Sequence, residues 1–270
     1  MDKLVYRTFW AAEAALFLLI LWGGLHAFAS PDQELFLPGA LDRFRYAAVL
    51  LSLAFALLQQ SPFWQTLLLA ASADCFLIFS SHYLPGILLF LLVQETFRQV
   101  LRLSLSCLLG WGTAFLFLFA SASYLFAFPL TLVGTTSAFY AGVLLRNLAA
   151  ACQAPSPHRR PRGASHGDRR GCSRARSATR AKKEPGRRTL AYSLTLLTLC
   201  DFHVALGQLP LSQLPGLPLW LALWVRLSPV LIWIFYLPAQ VLLASIPPAS
   251  RAQAFLPQAM GRRVPSAEPR

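Results

Sequence analysis

Apolar residues along this chain come in long blocks separated by short polar joints. Eight blocks can be read, at approximately 8–30, 46–60, 63–81, 83–97, 103–120, 124–145, 190–209 and 219–245. A helix needs about 20 predominantly apolar residues to cross the hydrocarbon of a bilayer. Most of the blocks come near that length. The second and fourth are short, and the joints near Pro62 and His82 are tight. The pattern predicts an all-α, polytopic transmembrane bundle of about eight spans. Spans one to six fill residues 1–152, and the last two fill 189–246.

Composition supports a bilayer rather than a soluble helical core. The chain is 56% hydrophobic and only 13% charged. A soluble domain carries roughly 25% charged residues, so too little polar side chain remains here to clothe a water-facing surface. The net charge of +13 changes meaning once it is mapped. Twelve Lys and Arg against Asp168 and Glu184, between Ala151 and Arg188, account for +10 and leave +3 for the rest. The segment 153–188 is Pro, Gly, Ser and Arg with almost no large apolar residue, a composition that predicts disorder. It contains no aromatic residue on which a base could stack, so nucleic acid is not an expected partner. It reads as a solvated linker that fixes topology, with anionic lipid headgroups as its next most reasonable contact.

Orientation follows from the same charges, because cytoplasmic loops hold the excess of Lys and Arg. With the N-terminus inside, the inner segments collect Lys3, Arg7, Arg98, Arg102, Arg146, the basic segment and the tail over 247–270. The outer segments hold Arg43 and Arg45. Eight spans with both termini cytoplasmic fit this distribution, and the cell membrane is the expected location. Lys3 and Arg7 followed by an apolar stretch ending in Ala27-Phe28-Ala29 resemble a cleavable signal. Glu13 inside that stretch, and its length, favour a retained span. Gly134, Ala138 and Gly142 form a stripe of small residues at four-residue spacing, which lets helix backbones approach closely. The five cysteines are scattered without a CxxC spacing, which gives no disulfide or metal framework.

Asp74, Glu95, Asp201 and Arg226 lie inside apolar blocks. A central Asp or Arg costs roughly 2.5–3.5 kcal/mol to insert, and such residues usually face the interior of a bundle. Counted from the block ends, Asp74, Asp201 and Arg226 each fall roughly 10–12 Å below the outer boundary at 1.5 Å per residue. A common depth predicts a common cavity. Glu95 lies near the inner end of its block, where it reaches the interface or pairs with Arg98 or Arg102. Further polar residues with apolar neighbours are His82, Gln94, His203, Gln208, Tyr236 and Gln240. No HExxH, CxxC, P-loop, GxGxxG or GxSxG motif occurs, which points away from a metal, a cofactor and the common hydrolase chemistries.

At these residues the chain resembles the YhhN-type lysoplasmalogenase family of eight-span membrane proteins. The resemblance rests on Ser72-Ala73-Asp74-Cys75-Phe76-Leu77, then Gly86, Phe90, Gln94 and Phe97, then Cys200-Asp201 with Ala205-Leu206. It continues in Tyr236-Leu237-Pro238-Ala239-Gln240-Val241-Leu242. Ala73 stands where that family usually has Gly, and Gln94 and Phe97 stand where it commonly has His and Tyr. The resemblance implies hydrolysis of the vinyl-ether bond of a lysophospholipid, giving a fatty aldehyde and a glycerophospho-headgroup, with Asp74 and Asp201 as the catalytic pair. Tyr236, Gln240, Gln94 and His203 become candidate substrate contacts, and Arg226, by its depth, a bidentate clamp for the phosphate. The chemistry suits two carboxyl groups in a dry pocket. One protonates the vinyl β-carbon, and the other stabilises the resulting cation or deprotonates water. Two other classes stay open on the residues alone: a proton-coupled carrier using Asp74, Asp201 and Arg226 as a relay, and a non-catalytic scaffold using the basic segment.

Overall fold

The computed structural model describes residues 3–30, 39–80, 83–126, 130–153, 185–207 and 218–248. These form eight α-helices and no strand: α1 (Lys3–Ala29), α2 (Ala40–Gln59), α3 (Trp64–Phe79), α4 (Tyr83–Leu101), α5 (Leu105–Phe126), α6 (Leu132–Cys152), α7 (Pro185–Gly207) and α8 (Leu219–Ala244). His82, Gln208, most of the basic segment and all but the first residues of the tail lie outside the described residues. Five helices, α1, α4, α5, α7 and α8, are long and apolar enough to cross a membrane, and α3 is a shorter apolar helix. The chain is therefore an integral membrane protein of the multi-pass kind.

Two boundaries differ from the sequence reading. The sixth block, read at 124–145, is shared between two helices: α5 continues through Tyr124 to Phe126, and α6 begins only at Leu132. The start is fixed chemically, because the Thr131 hydroxyl accepts the Gly134 N–H at 3.0 Å and so satisfies one of the orphan donors of the first turn. In addition, the last residues of segment 153–188 are helical. Pro185 opens α7, a position where its missing N–H costs nothing.

Consecutive helices pack as neighbours: α1 on α2, α2 on α3, α3 on α4, α5 on α6 and α7 on α8. The pairs α4–α6, α6–α7 and α1–α8 close the ring, α8 also reaches α2 and α3, and α5 packs on α6 outside it. Helix α1 is a full member of the bundle, with Phe9 and Ile20 in the core and Phe9 stacked on Phe55 of α2 at 3.6 Å. Its Glu13 is buried and accepts a 2.7 Å hydrogen bond from the Ser52 hydroxyl. Between α2 and α3 the chain turns at Gln60, in the left-handed region at φ 56°. Ser61 then pins the corner by donating to the Leu243 carbonyl of α8.

The outer surface is unlike that of a soluble protein, although the core is apolar. Large apolar side chains face outward, Phe117 being 72% exposed, while Ser52, Gln94, Asn147, Ser193, Ser228 and Gln240 are buried. Such a surface would be costly in water and is ordinary against lipid tails. The small-residue stripe of α6 lies against α5. A Cβ on Gly142 would collide with the Trp111 backbone carbonyl, and one on Gly134 would meet the Phe119 ring at 2.9 Å.

Candidate functional site

Small residues bring α3 close to its neighbours around Asp74. Ala70 and Ala73 are buried, and a side chain on Gly86 of α4 would come within 3.2 Å of the Ala73 carbonyl. Helices that approach this closely leave little room for water, and Asp74 is only 5% exposed. A buried carboxyl needs partners. The Tyr236 hydroxyl of α8 supplies one, donating to Asp74 Oδ2 at 2.5 Å.

Asp201, on α7, is part-buried, and it has a tyrosine of its own. The Tyr140 hydroxyl of α6 donates to Asp201 Oδ2 at 2.7 Å. Behind that tyrosine stands a chain of donors all pointing the same way. Gln94 Nε2 donates to the Tyr140 hydroxyl oxygen at 3.3 Å, and Asn147 Nδ2 donates to Gln94 Oε1 at 3.0 Å and to the Gln94 carbonyl at 2.9 Å. Aligned hydrogen bonds in a low-dielectric interior polarise one another, so the chain delivers its strongest donor at the carboxyl end.

The helices that carry the two carboxyls adjoin through others: α8 packs on both α3 and α7, and α6 packs on α7. Helices α3, α6, α7 and α8, distant in sequence, thus carry two carboxyl–phenol pairs in adjoining parts of the bundle. Each carboxyl is held through Oδ2. This is an arrangement for moving a proton onto and off a molecule while keeping bulk water out.

The remaining sequence candidates divide. Gln94 joins the site through Tyr140, and Gln240 lies one helical turn from Tyr236, buried, its Oε1 without a partner among the described residues. Arg226 does not join it. It is exposed, with its guanidinium 5.4 Å from the Phe28 ring of α1. Ten residues separate it from Tyr236, the α8 residue at the level of Asp74, or roughly 15 Å along the axis. Equal distances from block ends misplaced it, because α8 has 26 residues and α3 only 16. His203 also turns away. Two residues beyond Asp201, it points to roughly the opposite side of α7. Its ring packs near-parallel to Trp224 and Phe235, with Nδ1 3.3 Å from the Ser228 hydroxyl. That is the environment of a packing residue. Glu95 pairs with Arg98 through both carboxylate oxygens, as its position near the helix end suggests.

Tyr140 and Asn147 are functional candidates that the sequence reading missed. A tyrosine counts as apolar in a hydrophobic block and leaves no mark there. Asn147 stands beyond residue 145, where that block was ended too early. The apolar groove of about 310 Å³ between α1 and α2, lined by Leu4, Val5, Phe9, Leu51, Phe55 and Leu58, contains none of the site residues. No family model matches the chain, and no curated protein or solved structure matches it either.

Proposed function

We propose that this chain is an eight-span hydrolase of the lysoplasmalogenase type, in the cell membrane with both termini cytoplasmic, that cleaves the vinyl ether of a lysophospholipid. The observation that carries the reading is that Asp74 and Asp201, on the adjoining part of one bundle, each accept a hydrogen bond from a tyrosine hydroxyl of a neighbouring helix. In the reaction, the protonated carboxyl of the pair gives its proton to the vinyl β-carbon, and the π electrons form the new C–H bond. The α-carbon becomes an oxocarbenium centre, which the other carboxylate stabilises at short range. Water adds to that carbon as the carboxylate takes its proton. As the hemiacetal breaks its bond to the glycerol oxygen, that oxygen takes the proton from the second carboxyl and the hemiacetal hydroxyl gives its proton to the first, releasing aldehyde and headgroup and restoring the pair. The donor chain from Asn147 through Gln94 to Tyr140 keeps Asp201 in place through the cycle. Gln94 supplies a hydrogen-bonding side chain where the resembling family commonly has His.

A second reading, a proton-coupled carrier, is favoured by the buried polar atoms Asn147 Oδ1, Gln240 Oε1 and Gln59 Nε2. These have no partner among the described residues and would suit a hydrated track. One assay separates the two. Purified protein in detergent or nanodiscs should release fatty aldehyde from a 1-alkenyl lysophospholipid. It should release none from the saturated 1-alkyl analogue, which has no double bond to protonate. Absence of aldehyde, with substrate-dependent proton flux in proteoliposomes, would replace the hydrolase with the carrier.

A further inference from the structure

Arg226 is a charge in an apolar helix that the carboxyl site does not use. Its side chain is exposed, and none of its N–H donors has an acceptor among the described residues. Helix α8 has 26 residues and is about 39 Å long at 1.5 Å per residue, against a hydrocarbon layer of about 30 Å. Centred in that layer, the helix overhangs by roughly 4–5 Å at each end. Arg226 follows the first residue, Leu219, by seven positions, which puts its backbone roughly 6 Å inside the hydrocarbon edge. Side chains lean toward the N-terminus of their helix, so this one leans toward the nearer surface.

Helix α1 gives the same height independently. The guanidinium lies 5.4 Å from the centre of the Phe28 ring, and α1 ends one residue later, at Ala29. The ring attracts the cation through its π face and uses none of its donors. One turn deeper the seam between α1 and α8 is closed, because a Cβ on Gly24 would meet the Val230 side chain at 3.2 Å. The guanidinium therefore stands at the mouth of a seam that closes below it. The surface around that mouth is apolar. Leu25, on the Phe28 side of α1, is 44% exposed, and Pro229 of α8 is exposed as well. Trp220, near the start of α8, is 66% exposed, and tryptophans collect at the level of lipid headgroups.

An exposed, unpaired cation at headgroup level, with apolar surface beneath it, is complementary to a phosphate carried above acyl chains. A soluble anion would meet the charge and leave the apolar surface bare. We propose that Arg226 binds the phosphate of a membrane phospholipid at the α1–α8 seam, in the leaflet where α1 ends and α8 begins (the outer one in the proposed orientation). The phosphate oxygens take the free edges of the guanidinium, and an acyl chain lies along Leu25 and Pro229. This site stands apart from the hydrolase reading, since it requires no contact with Asp74 or Asp201.

The test titrates the full chain, purified in a phosphate-free detergent, with phosphatidylglycerol and with diacylglycerol of the same acyl chains. Binding is read by native mass spectrometry. Wild type is expected to prefer the phospholipid by about tenfold, a typical margin for a charge-assisted pair. Arg226→Gln should reduce that preference to about twofold. Phe28→Glu should do the same with Arg226 in place, because it supplies the guanidinium with an internal carboxylate. This second variant keeps the test decisive if Arg226→Gln does not fold. Arg7→Gln, which removes one positive charge near the other end of α1, should keep the tenfold preference. Inorganic phosphate at equal concentration should not displace the lipid. No preference in wild type, an unchanged preference in Arg226→Gln or Phe28→Glu, or an equal loss in Arg7→Gln would each overturn the assignment. Displacement by inorganic phosphate would overturn it too, in favour of a soluble anion.

Discussion

Asp74→Asn and Asp201→Asn should each lower aldehyde release from a 1-alkenyl lysophospholipid by at least about 100-fold, the lower end of what a positioned general acid or base contributes and equivalent to roughly 2.7 kcal/mol of barrier. An amide fills the same volume as a carboxyl, and its oxygen still accepts from Tyr236 or Tyr140, so the bundle should remain folded. What is lost is the exchangeable proton or the negative charge. The double variant should be no slower than the slower single one within about threefold, because groups that act as a unit are not additive. Additive losses would place the two carboxyls in separate events. Near-normal activity in either folded single variant would remove that residue from the chemistry.

The second large effect concerns assembly. Gly142→Leu should destabilise the protein by about 3 kcal/mol or more, at the upper end of overpacking costs. The Cβ would meet not a mobile side chain but the Trp111 carbonyl group, with its carbon at 2.9 Å, and Gly112 Cα at 3.0 Å. Backbone cannot rotate aside, so α5 and α6 must separate. The same contact is closed from the other side, where Gly112 lies under the Phe139 ring. Gly110 of α5 serves as the control, because nothing lies within 4 Å of a Cβ placed there. Gly110→Ala should leave stability unchanged or raise it by up to about 1 kcal/mol through helix propensity. Thermal unfolding of the purified variants in one detergent checks both. Equal stability of Gly142→Leu and wild type would contradict the close approach of the two helices.

The helical character of the chain is legible in the sequence because the bilayer demands long apolar blocks, and α1, α7 and α8 stand where those blocks stand. The boundary between α5 and α6 is not, since hydropathy hardly changes across it. The deciding feature is a single hydroxyl cap at Thr131. Asp74 and Asp201 announce themselves, because a carboxyl in an apolar block has few reasons to be there. Their tyrosines do not, since a phenol contributes apolar area and one polar atom, and only the fold tells which part is used. Arg226 stands away from the carboxyls for a related reason. Depth counted from block ends treats every helix as equally long, while the helices here differ by more than two turns. Arg45, just before its block, stands among the outer-loop charges in the sequence, yet its guanidinium packs against the Trp233 ring of α8.

The claim on which the mechanism stands is that α3 and α7 bring Asp74 and Asp201 together. Paired cysteines measure this directly. In a chain whose five native cysteines are replaced by alanine, Asp74→Cys with Asp201→Cys should be joined efficiently by a short bifunctional thiol-reactive cross-linker, read as a mobility shift after cleavage within segment 153–188. Asp74→Cys with Arg226→Cys, some three helical turns farther along α8, should not be joined. Cross-linking of the second pair, or of neither while both cysteines of the first pair remain reactive to a monofunctional reagent, would contradict the shared site.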